Sequence, residues 1–497
     1  MIVGRALADV GGVDPHHRAL LVADGGIIWA GADPANAPPP DEVVDLGAAW
    51  LTPGFTDAHV HATATGLQRA GIDLTPCRSA ADVLAEVRAQ AARTDGRVVY
   101  GAGWDDLRWD RRPTARELAD AAPGRLVLLL RVDGHSCLVD VHTLDHLDLR
   151  DVAVHVDTDA DGAPTGWLLE AASAVAQSAM RAELTADDLA AARTATCDAA
   201  AALGITTIHE MGIPALPDVD DAMAWATGTW PITVHAYWAD LEIDPTGPLR
   251  PGGDLFLDGS IGSCTAATHG PYRTGEGGEA TGELFCDDDA VGAFFTRATR
   301  AGVGAGVHAI GDRAVGQALR AISAAADACG LAAVRAARHR IEHVEMISRS
   351  DVTKMARLAV TASVQPAFDA IWNGPGGLYE QRFGREAADI TNPFAWFAEA
   401  GVELCLSSDS TVTPLDPWGG VLAAGAHHGG LGIDRRRALE AATIGGHRAV
   451  GAEGEVGALT AGRRADVVAW PGDPLTEDPR GWRPIAVMAR GRWLRSP

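Results

Sequence analysis

The stretch TPGFTDAHVHA, residues 52–62, combines an apolar strand pattern with two histidines, His59 and His61, near its end. Side chains two residues apart on a strand point to the same face of the sheet. Two histidines can bind the same ion only if their imidazoles face the same way. The stretch therefore predicts a buried strand whose carboxyl end carries part of a metal site.

Three more residues of ligand type follow similar apolar runs further along the chain. His308 closes GVGAGVH, His343 closes HRIEH, and Asp409 follows VELCLSS. The two histidines are 35 residues apart, about one strand-and-helix unit of an eight-unit barrel of roughly 250 residues. His343 and Asp409 are 66 residues apart, or two such units, and ASVQP at 362–366 supplies the strand between them.

The rest of the central region alternates apolar runs with alanine-rich helical segments, a pattern typical of a parallel sheet. Runs at 205–212, 231–238 and 254–260 bring the number of predicted strands to eight. The sequence therefore predicts an α/β fold, a (β/α)₈ TIM barrel, within residues 51–445. In such barrels the carboxyl ends of the strands carry the chemistry.

Both chain ends are rich in strand patterns. Residues 19–31 contain two apolar runs joined by Asp-Gly-Gly, a hairpin signal, and ADVVAWPGDP and IAVMARGRWLRS near the other end are strand-like as well. Because isolated hairpins are marginally stable, we expect residues 1–50 and 446–497 to form one small β-sandwich domain. The stretch 66–200 is too long for a single crossover and is predicted as an inserted lid subdomain.

Composition excludes several classes of function. A formal net charge of −25 argues against a nucleic-acid partner, and no stretch of about twenty apolar residues is present that could span a membrane. Seven scattered cysteines without CxxC pairs are typical of reduced thiols, so we expect a cytoplasmic protein. The expected partner is a small-molecule substrate; a homo-oligomer is compatible with the sequence.

The proposed ligands share their positions at strand ends. A lone histidine at such a place is more often a hydrogen-bonded core residue, but the unit length brings all five to one face. Neutral imidazoles with one carboxylate suit Zn²⁺ first, with Mn²⁺, Fe²⁺ and Co²⁺ as alternatives, and leave a position for water. The predicted metal-site residues are His59, His61, His308, His343 and Asp409.

Several motifs together resemble a known family. PGFTDAHVHA, DGSIGSCTA, VHAIGDRA, RIEHVEM, SVQP and SSDS, with the terminal ADVVAWPGDP, are similar to the metal-dependent amidohydrolase superfamily. The resemblance is strongest to the branch that contains the YtcJ-like hydrolases and N-substituted formamide deformylase. It extends over nearly the whole chain, including the insertion with its GAGWDD and RVDGHS motifs.

The resemblance implies roles for the ligands. His59 and His61 would bind the more buried ion, His308 and His343 a second ion or the substrate side, and Asp409 would contact the metal and act as general base. Many relatives carry a carboxylated lysine at the end of the fourth strand that bridges two ions.

The matching position in this chain is Asp254, and the only lysine, Lys354, falls in a helical segment. Asp254 could bridge two ions, bind one, or bind none, and Glu210 is an alternative carboxylate. The number of ions, one or two, stays open.

On the substrate side, the insertion offers Trp104, Arg131 and His135, and Glu210 could also contact a substrate. The expected reaction is hydrolysis of an amide-type C–N bond, in an N-substituted formamide, N-acyl compound or related amide. An ester, lactone or phosphoester could react in the same site, since a fold does not determine its substrate. A non-catalytic barrel is the third alternative.

Overall fold

The computed structural model describes residues 1–7, 10, 14, 16–106, 109–131, 136–213, 218–274 and 278–497, and for Glu170 the backbone alone. The chain separates into two compact units. The first contains residues 1–61, 197–213 and 218–497, and the second contains Ala62–Thr196. No helix among the described residues is both long and apolar enough to cross a membrane.

Two four-stranded parallel sheets form the centre of the first unit. Most of their strands are buried along their length, as in Phe55–Val60 and Ile205–Gly212, whereas the first half of Thr233–Trp238 is only partly buried. One sheet contains Phe55–Val60, Ile205–Gly212, Thr233–Trp238 and Arg250–Pro251; the other contains Gly306–Ala309, Arg340–His343, Thr361–Val364 and Leu404–Leu406.

Helices follow the strands in the alternating order that the sequence predicts, so the α/β class is confirmed. The helix Asp312–Cys329 is typical, because its small and branched apolar residues are buried along one face, where Gln317 is the buried polar residue. The other helices of this unit are Val219–Thr227, Asp288–Arg300, Leu331–Ala337, Arg349–Leu358, Pro366–Trp372, Leu378–Phe383, Arg385–Ala388, Phe394–Ala400, Pro417–Gly425, Arg435–Glu440 and Gly446–Ala449.

The fourth predicted strand differs from expectation. The strand is Arg250–Pro251, and the predicted run at 254–260 contributes only one bridge, from Phe256 to His308. Gly252 and Gly253 explain the difference, because both have positive φ (75° and 78°), which ends regular extended structure. A side chain at Gly252 would meet the carbonyl oxygen of Gly306 at 2.0 Å, so the close approach of these backbones also requires glycine.

Strands from both chain ends share one five-stranded sheet and one buried core. Trp50–Pro53 pairs with Val467–Trp470 antiparallel, and Leu7, Leu51 and Val467 belong to the same apolar cluster. The sheet runs in the order Ala6–Leu7, Trp50–Pro53, Val467–Trp470, Ala486–Ala489 and Arg492–Arg495. A neighbouring four-stranded sheet has the order Gly26–Gly31, Ala19–Ala23, Ile2–Val3 and Val44–Asp45.

The second unit is built on its own six-stranded mixed sheet with two apolar clusters. Its strands, in spatial order, are Val156–Thr158, Pro164–Leu169, Ser136–Val139, Leu126–Arg131, Val98–Trp104 and Ile72–Asp73. Its helices are Ala62–Ala70, Ala80–Arg93, Ala115–Ala121, Val141–His146 and Glu170–Ala182, and the helix Ala186–Ala202 continues into the first unit in sequence.

Candidate metal centre

His59 and His61 come together with Asp409 at the carboxyl end of the strand Phe55–Val60. Oδ1 of Asp409 lies 3.4 Å from Nε2 of His59 and 3.4 Å from Nε2 of His61. The backbone holds this arrangement, because the Asp409 N–H donates to the carbonyl oxygen of His59 at 2.9 Å. All three residues are buried.

Asp254 lies among all four predicted histidines. Its Oδ1 is 3.1 Å from Nδ1 of His308, 3.4 Å from Nε2 of His343 and 3.9 Å from Nε2 of His59. Its Oδ2 is 3.4 Å from Nε2 of His61. Oδ1 therefore faces three imidazoles and Oδ2 faces the fourth, so the two oxygens of one carboxylate contact different histidines.

Acceptors outside the cluster orient three of the rings. Nδ1 of His59 lies 2.9 Å from Oε2 of Glu342, Nδ1 of His61 lies 2.9 Å from the carbonyl oxygen of Met211, and Nδ1 of His343 lies 2.9 Å from Oε1 of Gln365. When Nδ1–H donates to such an acceptor, the Nε2 lone pair is directed into the centre. His308 differs, since its Nδ1 faces Asp254.

Burial and charge act in opposite directions on the two carboxylates. Burial raises the pKa of Asp254, but the charge on His59 and hydrogen bonds from the other imidazoles lower it by more, so the pKa lies well below its ordinary value. Burial likewise raises the pKa of Asp409, but the charge on His59 and a hydrogen bond from His61 lower it by more, so this pKa also lies below its ordinary value.

The imidazoles respond in the complementary sense. Burial lowers the pKa of His61, but hydrogen bonds to Asp254 and Asp409 raise it well above its ordinary value. Burial also lowers the pKa of His343, and the hydrogen bond to Asp254 and the charge of Asp409 bring it up to about 9. The carboxylates therefore attract positive charge into the centre of the cluster.

The backbone is strained at two ligand positions. His343 and Asp409 have φ of 70° and 53°, and Val344 beside them has φ of 49°. Residues with a Cβ seldom adopt these left-handed values, and such strain concentrates at functional sites. The backbone at these two strand ends therefore has a conformation that is intrinsically unfavourable for residues with a Cβ.

The donor atoms fit a divalent cation. Nε2 of His59 is buried without a hydrogen-bond partner among the described residues, and the imidazole nitrogens beside the buried Oδ1 of Asp409 lie at 3.4 Å, so a ligand is needed to satisfy these atoms fully. Two overlapping sets have their donor atoms within 4.8 Å of one another. The sets are His59 with Asp254 and His343, and His59 with His61 and Asp409.

Comparison with known proteins agrees with this chemistry. The model of the amidohydrolase family matches residues 42–493. The chain belongs to the amidohydrolase family. Among curated amidohydrolase relatives, it is 26% identical to amidohydrolase YtcJ of Bacillus subtilis (strain 168), over 93% of this chain and 92% of that protein. It is 24% identical to N-substituted formamide deformylase of Arthrobacter pascens, over 96% of this chain and 94% of the relative.

A solved structure supports the same assignment. An uncharacterized metal-dependent hydrolase from Pyrococcus furiosus aligns with a TM-score of 0.78 and 26% identity, over 96% of this chain and 99% of that one. The resemblance to this family that the motifs indicate is therefore confirmed, and with it a TIM-barrel-like α/β fold. The chain is a hydrolase of the amidohydrolase superfamily.

The other carboxylate predicted for the amidohydrolase centre takes a different position. Glu210 is buried in the strand Ile205–Gly212, opposite Val60, and belongs to neither set of donor atoms. Lys354 is exposed on the helix Arg349–Leu358 and pairs with Asp351 at 2.7 Å. Among the described carboxylates, Asp254 and Asp409 are the ones that join the histidines in those sets.

Two of the residues predicted for substrate binding, Trp104 and Arg131, belong to the second unit. Trp104 is fully buried in the core of that unit, and its Nε1 donates to the carbonyl oxygen of Leu129 at 2.8 Å. Trp104 therefore packs within the core of that unit. Arg131 pairs with Asp105 and Asp106 at 2.9 and 3.2 Å, and His135 lies outside the described residues.

A buried ion pair below the centre is absent from the sequence-based prediction. Nη2 of Arg340 donates to Oε2 of Glu342 (2.8 Å), to the carbonyl oxygen of Ala58 (2.7 Å) and to Oγ of Ser363 (2.7 Å). Because Glu342 in turn contacts His59, the pair supports that ligand. Two charged residues at alternate positions of the predicted strand RIEH were the available signal.

Proposed function

We propose that this amidohydrolase cleaves an amide-type C–N bond of a small molecule with the help of one or two divalent cations, zinc first among them. The position of Asp254 carries the proposal. A carboxylate with one oxygen towards His61 and the other towards His308 and His343 has the reach to serve two ions without a carboxylated lysine.

The proposed scaffold is a closed eight-stranded barrel. Two parallel bridges support closure, because Val60 at one edge of the first sheet pairs with Ser410, and Phe256 beyond the other edge pairs with His308. All four residues lie at or just past the carboxyl ends of strands. We propose in addition that the two sheets formed by the chain ends pack as a β-sandwich, which their shared apolar cluster supports.

The histidines and the two carboxylates would hold the cations. His59, His61 and Asp409 would hold one, His308 and His343 would hold the other, and Asp254 would lie between them. When bound, a divalent cation acidifies a water molecule and polarises the substrate carbonyl. Glu342, Met211 and Gln365 keep three imidazoles in the required orientation.

Asp409 is the proposed proton carrier. Its pKa lies below its ordinary value, because the neighbouring imidazoles outweigh the effect of burial, so the carboxylate is ionised at neutral pH and able to accept a proton. Returning that proton to the departing nitrogen would convert a poor leaving group into a neutral amine. The strained backbone at Asp409 fixes the carboxylate against His59 and His61.

The preference for a C–N bond follows the relatives, one of which is described as an N-substituted formamide deformylase. We propose the same class of substrate for this chain, with Arg131 as a substrate-binding residue of the second unit. The alternative chemistry is hydrolysis of an ester, lactone or phosphoester in the same centre.

A paired screen tests the proposed bond. Each acyl group is offered as an N-formyl or N-acyl amide and as the matching ester, with cyclic amides, lactones and a phosphoester alongside, and metal per chain is measured by elemental analysis. Hydrolysis of amides with a kcat/KM at least equal to that of the matching esters is expected. Turnover of esters or phosphoesters alone would contradict the proposal.

A further inference from the structure

A cavity of about 230 Å³ lies between two strand ends and two helices of the first unit. It is lined from the strands by Thr56, Asp57 and Leu406, and from the helices Pro366–Trp372 and Pro417–Gly425 by small and apolar residues. None of the predicted metal ligands lines it. The cavity is therefore separate from the metal centre, although it adjoins the same strands.

The lining differs between the two ends of the cavity. Asp57 and Ser408 are buried at one end, whereas Asp416 and Ile371, the latter 55% exposed, lie towards solvent. Alanine, proline and leucine side chains form much of the wall between them. Of the described residues that line the cavity, the ionisable ones are Asp57 and Asp416, and none is basic.

A buried carboxylate in a largely apolar cavity favours a cationic ligand. A carboxylate in apolar surroundings is stabilised by a cationic partner and disfavours an anion. Oδ1 of Asp57 already accepts from the N–H of Ser408 at 2.9 Å and lies 3.5 Å from the backbone N of His59. An occupant would therefore sit beside the carboxylate that ties the metal-binding strand to the segment leading into Asp409.

The volume limits the size of the occupant. A dry apolar cavity of about 150 Å³ accepts benzene. A cavity of about 230 Å³ accordingly has room for a branched or cyclic group of roughly six to ten non-hydrogen atoms. Larger ligands would have to extend past Ile371 into solvent.

We propose that this cavity is a second small-molecule site, which binds a compact apolar ammonium ion with its charge towards Asp57 and its hydrocarbon part against the alanine-rich wall. The site does not depend on which bond the metal centre cleaves, because the two share no residue.

Calorimetric titration of the metal-loaded protein with isobutylammonium chloride and with isobutanol at pH 7.5 tests the site. One saturable site per chain is expected for the ammonium ion, with affinity about tenfold or more above that of the neutral alcohol. Asp57→Asn should remove this preference for the cation. Absence of saturable binding, or equal affinity for both compounds, would overturn the proposal.

A pair of glycine variants localises the binding. Gly420 lines the cavity and an added Cβ there would meet nothing within 4 Å, so Gly420→Leu should place its side chain in this space and abolish binding. Gly292, in the helix Asp288–Arg300, also has nothing within 4 Å of an added Cβ and lies away from the cavity. Gly292→Leu should bind as the parent protein does. Unchanged affinity in Gly420→Leu would refute the site even if Asp57→Asn failed to fold.

Discussion

Asp254 provides, on a short side chain, a carboxylate whose two oxygens face different histidines, Oδ2 facing His61 and Oδ1 facing His308 and His343. The two glycines that precede Asp254 have left-handed φ, and Gly252 packs closely against the carbonyl oxygen of Gly306, so the backbone before Asp254 has a conformation that favours glycine. From the sequence, Asp254 could only be predicted to bridge two ions, to bind one, or to bind none. How closely its backbone approaches the histidines depends on the tertiary structure.

Asp254→Asn tests the bridging role. An amide keeps the size of the side chain but supplies a neutral and weaker ligand, so we expect metal per chain to fall by about one ion. Asp289→Asn, at an exposed position in the first turn of a helix, serves as the matched control and should retain the parent metal content. Elemental analysis after desalting gives both values. Full metal content in Asp254→Asn would rule out the bridge.

Asp409→Asn separates proton transfer from metal binding. The amide cannot accept a proton, so we expect kcat to fall by about 10²–10⁴-fold, the usual contribution of a general base. Metal content should stay largely intact, because His59 and His61 remain. Steady-state kinetics and elemental analysis on one preparation provide the test, and a variant with parental turnover would disprove the role.

At the scale of elements, strand ends explain why the candidate centre was predictable. Period-two alternation places His59 and His61 on one face, and the regular unit length brings His308 and His343 to the same end of their strands. The ion pair Arg340–Glu342 was harder to predict, since each charge alone in an apolar run is ambiguous. The core position of Trp104 was not predictable, because a tryptophan near charged residues resembles a binding residue.

The residue that precedes the strand Arg340–His343 gives the fold an acid-sensitive point. His339 is buried, its Nδ1 accepts from the N–H of Ala305 at 3.1 Å, and its Nε2 lies 2.8 Å from Oγ1 of Thr299. Burial lowers its pKa from 6.5 to about 4, outweighing the opposing effect of the Ala305 hydrogen bond.

Stability should therefore be lost as pH falls from 6.5 towards 4, where the unfolded chain binds a proton that the folded chain does not. At pH 5 this amounts to about 2 kcal/mol relative to pH 7. His339→Gln removes the titrating group, so its loss of unfolding free energy between pH 7 and pH 5 should be smaller by about that amount. Urea unfolding of the metal-free proteins measures it, and identical pH dependence in both would contradict the assignment.

At the scale of the whole molecule, the candidate centre draws ligands from strands at both ends of the central region, from His59 to Asp409. Cations bound there hold distant parts of the chain together and bind the folded state alone. The sequence indicated this organisation through motif spacing. The sequence could not indicate how the second unit contributes to substrate binding, because that contribution depends on tertiary contacts that no local sequence pattern encodes.

Metal removal should consequently lower stability. At a metal concentration of about a hundred times the Kd, binding of one ion contributes about 2.7 kcal/mol, so we expect chelation to lower Tm by about 3 °C per ion. Adding Zn²⁺ after removal of the chelator should restore the original Tm. Thermal unfolding measures the decrease in Tm on chelation for the parent protein and for Asp254→Asn. This decrease should be smaller in the variant. Equal Tm with and without chelator in the parent protein would exclude a structural contribution from the cations.

The pairing of Trp50–Pro53 with Val467–Trp470 has a consequence for synthesis on the ribosome. The first strand emerges about 400 residues before its partner, and at about 5–20 residues per second that interval is about 20–80 s. During this time one edge of the strand Trp50–Pro53 lacks the strand that pairs with it in the folded protein. The sheet at the chain ends is therefore among the last parts of the protein that can be completed, and truncation of the final strands during translation would leave that edge open to other chains.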